Sequence, residues 1–327
     1  MRIVLDAMGG DYAPKEPVAG AVQALKDFDD IHIILVGDEE LINEELTNFT
    51  YPNDRITIEH TTEVIGMNEA PATAIRRKRK SSIVVGANLV KKDKGDAFVS
   101  AGNTGACMAA GVIKIRPLEG VHRPAIATVL PNVKDGTVMM DAGANVDCKP
   151  EELVQFGLMG KVYAEKILKR NNPKVGLLSN GEEKKKGNKL TKETYPLLEE
   201  TPLNFVGNVE GRDIFNGEVD VVLCDGFVGN IVLKATEGLA SAIKSILKEE
   251  ATSSLRTMIG GKLMGPALDG LKKRLDYTEY GGAPLLGLKK MVIISHGSSN
   301  GWAIRNAIRV ARESLISGVV DEIEENI

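Results

Sequence analysis

Five glycine-rich turns carry the residues best suited to do chemistry. Each follows a short apolar run: DAMGGD begins at Asp6, SAGNTGA at Ser100, DAGANVD at Asp141, CDGFVGN at Cys224 and SHGSSNG at Ser295. Glycine lets the backbone approach a ligand closely, and backbone N–H groups at the start of a helix favour anions. Because the carboxyl ends of parallel strands share one edge of a sheet, we expect the five turns to form a single site there.

The turns lack the usual nucleotide fingerprints. No GxGxxG follows a predicted strand, and GxxxxGK[ST] does not occur in the chain. Positive charge comes from elsewhere, at Arg123, at Lys184 and Lys186 after the SNGEE turn, and at Lys234. Arginine offers phosphate a two-pronged fork and lysine a point charge. The pattern predicts phosphate-type chemistry without a nucleotide, with exposed surface charge as the alternative for each cation.

Two groups of candidate site residues follow. The candidate catalytic residues are Lys184, Lys186, His296, Ser298 and Asn300. The candidate substrate- and phosphate-binding residues are Asp6, Gly9, Gly10, Gly102, Asn103, Thr104, Gly105, Arg123, Asp141, Asn145, Asp225, Asn230 and Lys234. For the aspartates and asparagines, the alternative is a structural role in turns and helix caps.

Metal and cysteine chemistry are the weaker interpretations. The four histidines are scattered without an HExxH motif, and the three cysteines have no CxxC spacing, so no structural zinc site is expected. Asp6, Asp141 and Asp225 leave a magnesium site open, but a second acid does not stand close to each of them, and we predict neither metal nor cofactor. The few cysteines are typical of reduced thiols in the cytoplasm.

The hydrophobic pattern predicts the elements that position these turns. Strands are predicted over residues 2–6, 31–36, 97–100, 137–141, 174–179, 219–225 and 291–295, and helices over 16–26, 150–169 and 229–250. Short apolar strands that alternate with helices are typical of a parallel sheet with crossover helices. We therefore predict an α/β protein, a three-layer α/β/α arrangement around a mostly parallel sheet.

Composition narrows the functional classes. The chain has 327 residues, of which 43% are hydrophobic and 26% charged, as in an ordinary globular protein. Its net charge of −4 gives no general attraction to nucleic acid. No uncharged apolar stretch approaches the roughly 18 residues of a membrane-spanning helix, so we expect a cytoplasmic protein that at most binds a membrane surface.

Two surfaces suggest partners. The run RRKRK, with Arg76, Arg77 and Arg79, is a basic patch that favours an acidic protein over nucleic acid, because no aromatic residues are interleaved with it. Residues 243–275 are amphipathic and basic, which predicts a projecting helical hairpin that contacts an anionic membrane. Its candidate membrane residues are Leu255, Met258, Leu263 and Leu268. An acyl-chain tunnel, a dimer interface and ordinary core packing are the alternatives.

Laid in order, these segments resemble the bacterial phosphate acyltransferase family of phospholipid synthesis. The matching stretches include DAMGGD, SAGNTGA, GVHRPAIATVLP, DAGANVDCKPEEL, CDGFVGNIVLKATEG, YGGAPLLGL and HGSSNGWAIRNAI, which together span Asp6 to Ile308. One departure is LLSNGEE, where Ser179 and Asn180 stand in place of the family's more usual Asn-Ile.

The resemblance implies a reaction and its partners. A fatty acyl group would pass from the thioester of acyl carrier protein to inorganic phosphate, giving acyl phosphate for phosphatidic acid synthesis. It also implies a homodimer with a fold like that of the isocitrate and isopropylmalate dehydrogenases and phosphotransacetylase. On this interpretation residues 1–327 form one catalytic domain, the basic patch binds acyl carrier protein, and the hairpin lies on the inner face of the cell membrane near the downstream glycerol-3-phosphate acyltransferase.

The implied mechanism needs positioning more than base catalysis, because phosphate is largely ionised at neutral pH. We expect the 102–105 turn to cradle phosphate, with Arg123 and one of Lys184 or Lys186 neutralising its charge. His296 or Ser298, helped by Asn300, would donate to the thioester carbonyl or to the leaving thiolate. Two rivals remain open: an NAD(P)-dependent decarboxylating dehydrogenase of the same fold, and a non-enzymatic regulator that binds acyl carrier protein or lipid.

Overall fold

The computed structural model describes residues 1–268, 270 and 281–327. Its strands are β1 Arg2–Asp6, β2 His32–Gly37, β3 Ile56–His60, β4 Ala97–Ser100, β5 Ala125–Leu130, β6 Thr137–Met140, β7 Lys174–Leu178, β8 Asn204–Val209, β9 Val221–Leu223, β10 Ala283–Leu286 and β11 Met291–Ile294. Its helices are α1 Lys15–Asp27, α2 Glu39–Leu46, α3 Pro71–Arg77, α4 Ser82–Lys91, α5 Thr104–Ala110, α6 Pro150–Lys166, α7 Lys189–Glu199, α8 Asp213–Asn216, α9 Gly226–Thr252, α10 Leu255–Leu263, α11 Gly301–Ile316 and α12 Val319–Asn326.

The described strands form one sheet in the order β3-β2-β1-β4-β11-β10-β5-β6-β9-β7-β8. The strands β3, β2, β1, β4 and β11 are parallel to one another, and so are β6, β9, β7 and β8. Between the two groups, β10 and β5 make three antiparallel pairings in succession. An odd number of reversals leaves the two parallel groups running in opposite directions.

Helices cover both faces of the sheet because its strands are apolar on both sides. Along β1, Ile3 and Leu5 pack with α1 and α11, whereas Val4 packs with α4 on the other face. A strand buried on both faces reads as a continuous apolar run, as RIVLD does. The predicted α/β class and mostly parallel sheet are confirmed, and all seven predicted strands form.

Four strands were not predicted, for reasons visible in their positions. The strands β3 and β8 are the two edges of the sheet and keep several residues half-buried or exposed. The strand β10 is four residues long and contains Pro284. The strand β5 has the apolar sequence AIATVL, but it begins immediately after Pro124 in the sequence, and proline weakens a strand prediction.

The three predicted helices are α1, α6 and α9. The first turn of α6 has Pro150 at its start, and the Glu152 carboxylate accepts a hydrogen bond from the Lys149 N–H. The helix α9 is 27 residues long, and α10 turns back against it. Of the predicted 243–275 hairpin, residues 269 and 271–275 lie outside the described residues. None of the described helices is long and apolar enough to cross a membrane.

Helices α1 and α11 approach so closely that only glycine fits at position 20. A Cβ atom there would lie 2.5 Å from Ile304 Cβ and 2.7 Å from the Gly301 carbonyl oxygen. We expect Gly20→Ala to lower the free energy of unfolding by about 2 kcal/mol, through overpacking, in urea titrations. The matched control is Gly238→Ala on α9, where no described atom lies within 4 Å of the added methyl. Equal effects of the two variants would contradict this account.

Candidate active site

The turns after β1 and β4 meet around one buried carboxylate, and the turn after β11 joins them through the Gly297 carbonyl, which accepts from the Asp11 N–H at 2.7 Å. Asp6 is 1% exposed and accepts hydrogen bonds from Ser100 Oγ at 2.7 Å and from the Met8 N–H at 3.1 Å. The Gly102 N–H donates to the same Ser100 oxygen. Burial raises the pKa of Asp6, and its hydrogen bonds oppose that shift. Asp6 therefore holds the turns together from inside.

The turns after β6 and β9 meet around a second buried carboxylate. Asp141 accepts five hydrogen bonds, from the N–H groups of Ile126, Gly143, Ala144 and Asn145 and from Asn145 Nδ2. Burial raises its pKa as well, against the effect of these donors. The Gly226 N–H donates to the Asn145 carbonyl at 2.7 Å, which ties the start of α9 to this turn.

The expectation that all five turns share one edge is wrong. Because the two parallel groups run in opposite directions, the turns form two clusters, one at the carboxyl ends of β1, β4 and β11 and the other at those of β6 and β9. Both clusters nevertheless open into one cleft, a cavity of about 1350 Å³. The site is the space between two strand groups.

Five of the predicted site residues line this cleft. Thr104, Gly105 and His296 come from the first cluster, and Asn230 and Lys234 come from α9 beside the second. Apart from Gly105, which is half-buried, each is exposed. The cleft thus combines a hydroxyl, an amide, an imidazole and an ammonium group, which are all able to donate hydrogen bonds to an anion or a carbonyl oxygen.

The ring of His296 is oriented by its own turn. The Ser298 N–H donates to His296 Nδ1 at 3.3 Å, and Ser298 Oγ lies 2.8 Å from the same atom. A backbone N–H can only donate, so Nδ1 accepts, and the neutral ring carries its proton on Nε2. His296 can therefore act as a hydrogen-bond donor in the cleft.

The other predicted polar residues have structural partners in the described structure. Asn103 Nδ2 donates to the carbonyls of Gly66, Met67 and Glu69, and its Oδ1 accepts from the Ala106 N–H. Asn145 bonds to Asp141, as above, while Asp225 and Asn300 cap α9 and α11. The predicted Gly9, Gly10 and Gly102 belong to the turns packed around Asp6.

The predicted cations Arg123, Lys184 and Lys186 are not among the residues described as lining the cleft. Arg123 pairs with the buried Glu152, 3.0 Å from Nε to Oε1. Lys184 pairs with Glu199 on α7, and Lys186 is exposed on the same loop. Of the four predicted cations, Lys234 is the one that the described structure places in the cleft lining.

Sequence reasoning missed the strand that crosses the cleft. Residues 126–130 of β5 line it, and the apolar run AIATVL was the available signal. The thiols are placed away from reactivity: burial raises the pKa of Cys107 to about 12 and holds that of Cys224 well above its usual range. Among residues 1–268, 270 and 281–327, no cluster of three metal-ligating side chains is found.

The fold and the cleft define an α/β protein with an anion-suited site between two opposed strand groups. Solved structures with this fold include a phosphotransacetylase from Streptococcus pyogenes, with a TM-score of 0.64 and 18% identity, covering 97% of this chain and 94% of that one. A 4-hydroxythreonine-4-phosphate dehydrogenase from Klebsiella pneumoniae has a TM-score of 0.54 and 11% identity, covering 96% of this chain and 98% of that one. At these identities the likeness concerns the fold alone.

Sequence comparison then identifies the family. The model of the family described as "Fatty acid synthesis protein" matches residues 1–322, and the chain belongs to that family. A protein named Phosphate acyltransferase from Halothermothrix orenii is 54% identical over 329 residues, covering 100% of this chain and 98% of its own. Another of that name from Pelotomaculum thermopropionicum is 55% identical over 327 residues, covering 100% and 95%. The resemblance drawn from the turns is confirmed.

The five hydrogen bonds to Asp141 lead to a stability prediction. In Asp141→Asn, an amide NH₂ replaces one acceptor oxygen and faces N–H donors, so the free energy of unfolding should fall by about 3 kcal/mol in urea titrations. The control is Asp147→Asn in the same loop, whose side chain is exposed. A loss no larger than that of the control would refute the structural role of Asp141.

Proposed function

We propose that this protein transfers a fatty acyl group from the thioester of acyl carrier protein to inorganic phosphate, producing acyl phosphate and a free thiol. One observation carries the proposal: the glycine turns of both strand groups open into a single cleft that contains Lys234 and His296. Membership of the fatty acid synthesis protein family and the names of the relatives support it.

The chemistry asks little of an acid or a base. A phosphate ester has a second pKa of about 6, and by analogy free phosphate at neutral pH is largely ionised and already nucleophilic. Its oxygen attacks the thioester carbon, the carbonyl oxygen becomes negative, and the C–S bond then breaks with the electron pair leaving on sulfur. The thiolate takes up the proton that the hydrogen phosphate gives up. The protein must position a dianion against the carbonyl and stabilise the oxyanion.

The cleft residues divide these tasks. Lys234 neutralises the phosphate, with the Thr104 hydroxyl and Asn230 as further donors. His296 Nε2–H donates to the carbonyl oxygen as charge develops on it. Phosphate binding by Arg123, Lys184 or Lys186 remains a prediction. For Arg123 it requires breaking the ion pair with Glu152, and for Lys184 the ion pair with Glu199. Ser298 acts through His296 by orienting its ring.

Acyl carrier protein is the proposed donor, and the basic patch its proposed docking surface. Arg76, Arg77 and Arg79 are exposed at the end of α3. The beginning of α3 packs on the rim of the cleft, where a Cβ on Gly105 would lie 2.5 Å from Pro71 Cγ. An acidic carrier bound to the patch would hold its thioester close to the cleft.

The helices α9 and α10 supply two further proposed surfaces. Leu255 and Leu263 of α10 are 78% and 79% exposed, and with Met258 they would contact an anionic membrane on its cytoplasmic side, near the downstream glycerol-3-phosphate acyltransferase. Leu268, the fourth predicted membrane residue, is instead half-buried and lines the cleft. On α9, Phe227, Ile231 and Leu239 are exposed and are not cleft-lining residues. We propose that a second copy of the chain covers them in a homodimer.

The finer description of the fold belongs with these proposals. We propose the isocitrate and isopropylmalate dehydrogenase type of α/β/α fold, with residues 1–327 as one catalytic domain and 243–275 as a projecting hairpin. The two rival functions, a decarboxylating dehydrogenase and a non-enzymatic binding module, are not favoured by the names of the relatives.

One assay separates the three functions. Incubation with acyl-[acyl carrier protein] should release free thiol only when phosphate is present, with acyl phosphate formed in equal amount. A dehydrogenase would instead reduce NAD(P) with its hydroxy-acid substrate, and a binding module would do neither.

Lys234 provides the first mutational prediction. We expect Lys234→Ala to lower kcat/KM for phosphate by about a hundredfold, because a charge-assisted hydrogen bond to the dianion is lost. The control Lys189→Ala removes an 87% exposed lysine on α7 and should leave the rate unchanged. Phosphate saturation curves of the two variants provide the measurement, and coincident curves would exclude Lys234 from the site.

The basic patch provides the second mutational prediction. We expect Arg76→Glu with Arg79→Glu to raise KM for acyl-[acyl carrier protein] by about tenfold at low salt, with kcat unchanged, because complementary charge speeds docking. The same charge change at Lys189 and Lys192 on α7 is the control. An unchanged KM would remove the patch from carrier binding.

A further inference from the structure

The strand β5 has a partner along most of one edge but along only a short part of the other. It pairs with β6 from Ala127 to Leu130. On its opposite edge it pairs with β10 at Ala125 and Ile126 alone. Within residues 1–268, 270 and 281–327, no strand pairs with 127–130 on that side.

The direction of the neighbouring bonds shows which backbone groups face this open edge. The Val138 N–H donates to the Asp220 carbonyl, on the side of β9, so Val138 does not bond to β5. Its partner across the β5–β6 pair is Val129. In an antiparallel pair such residues direct N–H and C=O away from each other. Both groups of Val129 therefore point to the open edge.

The open edge is limited to Val129. Continuing the β10–β5 register from Leu285 and Ile126 brings Pro284 opposite Ala127, and proline has no N–H to donate to the Ala127 carbonyl. Ala127 is nevertheless fully buried, whereas Val129 is half-buried. The edge thus presents the N–H and C=O of Val129.

The open edge lies inside the cleft. Val129 lines the same cavity as Thr104, His296 and Lys234. An open strand edge is a template on which an extended chain with amide groups can add as a further strand. A hydrocarbon could not satisfy these groups, whereas a chain of secondary amides could.

We infer that the open edge of β5 binds the amide-bearing arm of the thioester donor, a pantetheine chain, as an added strand. The inference rests on the proposed function and goes beyond it by assigning the place of the arm. With its amides paired to the N–H and C=O of Val129, the arm runs along the cleft, and its thioester end stays among the residues that line it. The strand thereby acts as a positioning element for the carbonyl carbon.

The first test removes the Val129 N–H. Because that N–H faces away from β6, Val129→Pro keeps the β5–β6 pairing and blocks only the open edge. We expect it to lower kcat/KM for acyl-pantetheine by about tenfold more than it lowers kcat/KM for an acyl thioester of a plain alkanethiol, which has no amide to pair with the edge. The control Val129→Ala keeps the N–H and should affect both donors alike. Equal loss with both donors, or no loss with either, would overturn the inference.

A second test uses the unaltered protein and needs neither catalysis nor a folded variant. In hydrogen–deuterium exchange, Thr128 and Leu130 are protected by β6, whereas the Val129 N–H should exchange fast and become protected when pantetheine is added. Unchanged exchange of Val129 at saturating pantetheine would overturn the inference, as would protection by a short extended peptide but not by pantetheine. Phosphate-dependent thiol release by the unaltered protein would leave the proposed function standing in that event. If no thioester released thiol, the proposed function would be wrong, and the exchange experiment alone would show whether the open edge binds pantetheine.

Discussion

The site depends on two buried carboxylates that hold its turns together. Asp6 ends β1 and Asp141 directly follows β6, and each accepts hydrogen bonds from donors of the turns around it. Burying a carboxylate is costly, as the raised pKa of each indicates, and several hydrogen bonds from fixed donors offset that cost. The turns that carry Thr104 and Asn145 are held in place by these bonds.

The opposed directions of the two strand groups make the site a cleft. In a sheet of one direction, ligands lie in a crevice along a single edge. Here the reversal through β10 and β5 separates the two clusters of turns and leaves a space between them, crossed by β5 and walled by α9. A reaction between two substrates suits such a cleft, because each can be bound by a different cluster and approach the other across it.

Much of the fold and family could be read from the sequence. Buried parallel strands give continuous apolar runs, and the turns after them carry recognisable glycine patterns. The opposite directions of the two strand groups could not be predicted, because they depend on how β10 and β5 pair. The strand β10 has only four residues and contains Pro284, so its sequence pattern is weak. The sequence could not show that Lys234 lines the cleft whereas Lys184 does not, because Lys184 pairs with Glu199, which lies on a separate helix. Spacing indicates which residue types lie near a turn, whereas tertiary partners decide which of them remain available to a ligand.

The buried position of Cys107 bears on the route of the acyl group. This thiol lies in α5, three residues beyond Thr104, and is fully buried with a pKa raised to about 12. A cysteine thiolate exposed in the cleft could attack the acyl thioester itself, taking the acyl group onto its sulfur and releasing the donor thiol. The thiolate is the nucleophile in such an exchange, and Cys107 offers neither access nor ionisation. The acyl group of the proposed reaction can therefore pass to phosphate without an acyl-cysteine intermediate at Cys107.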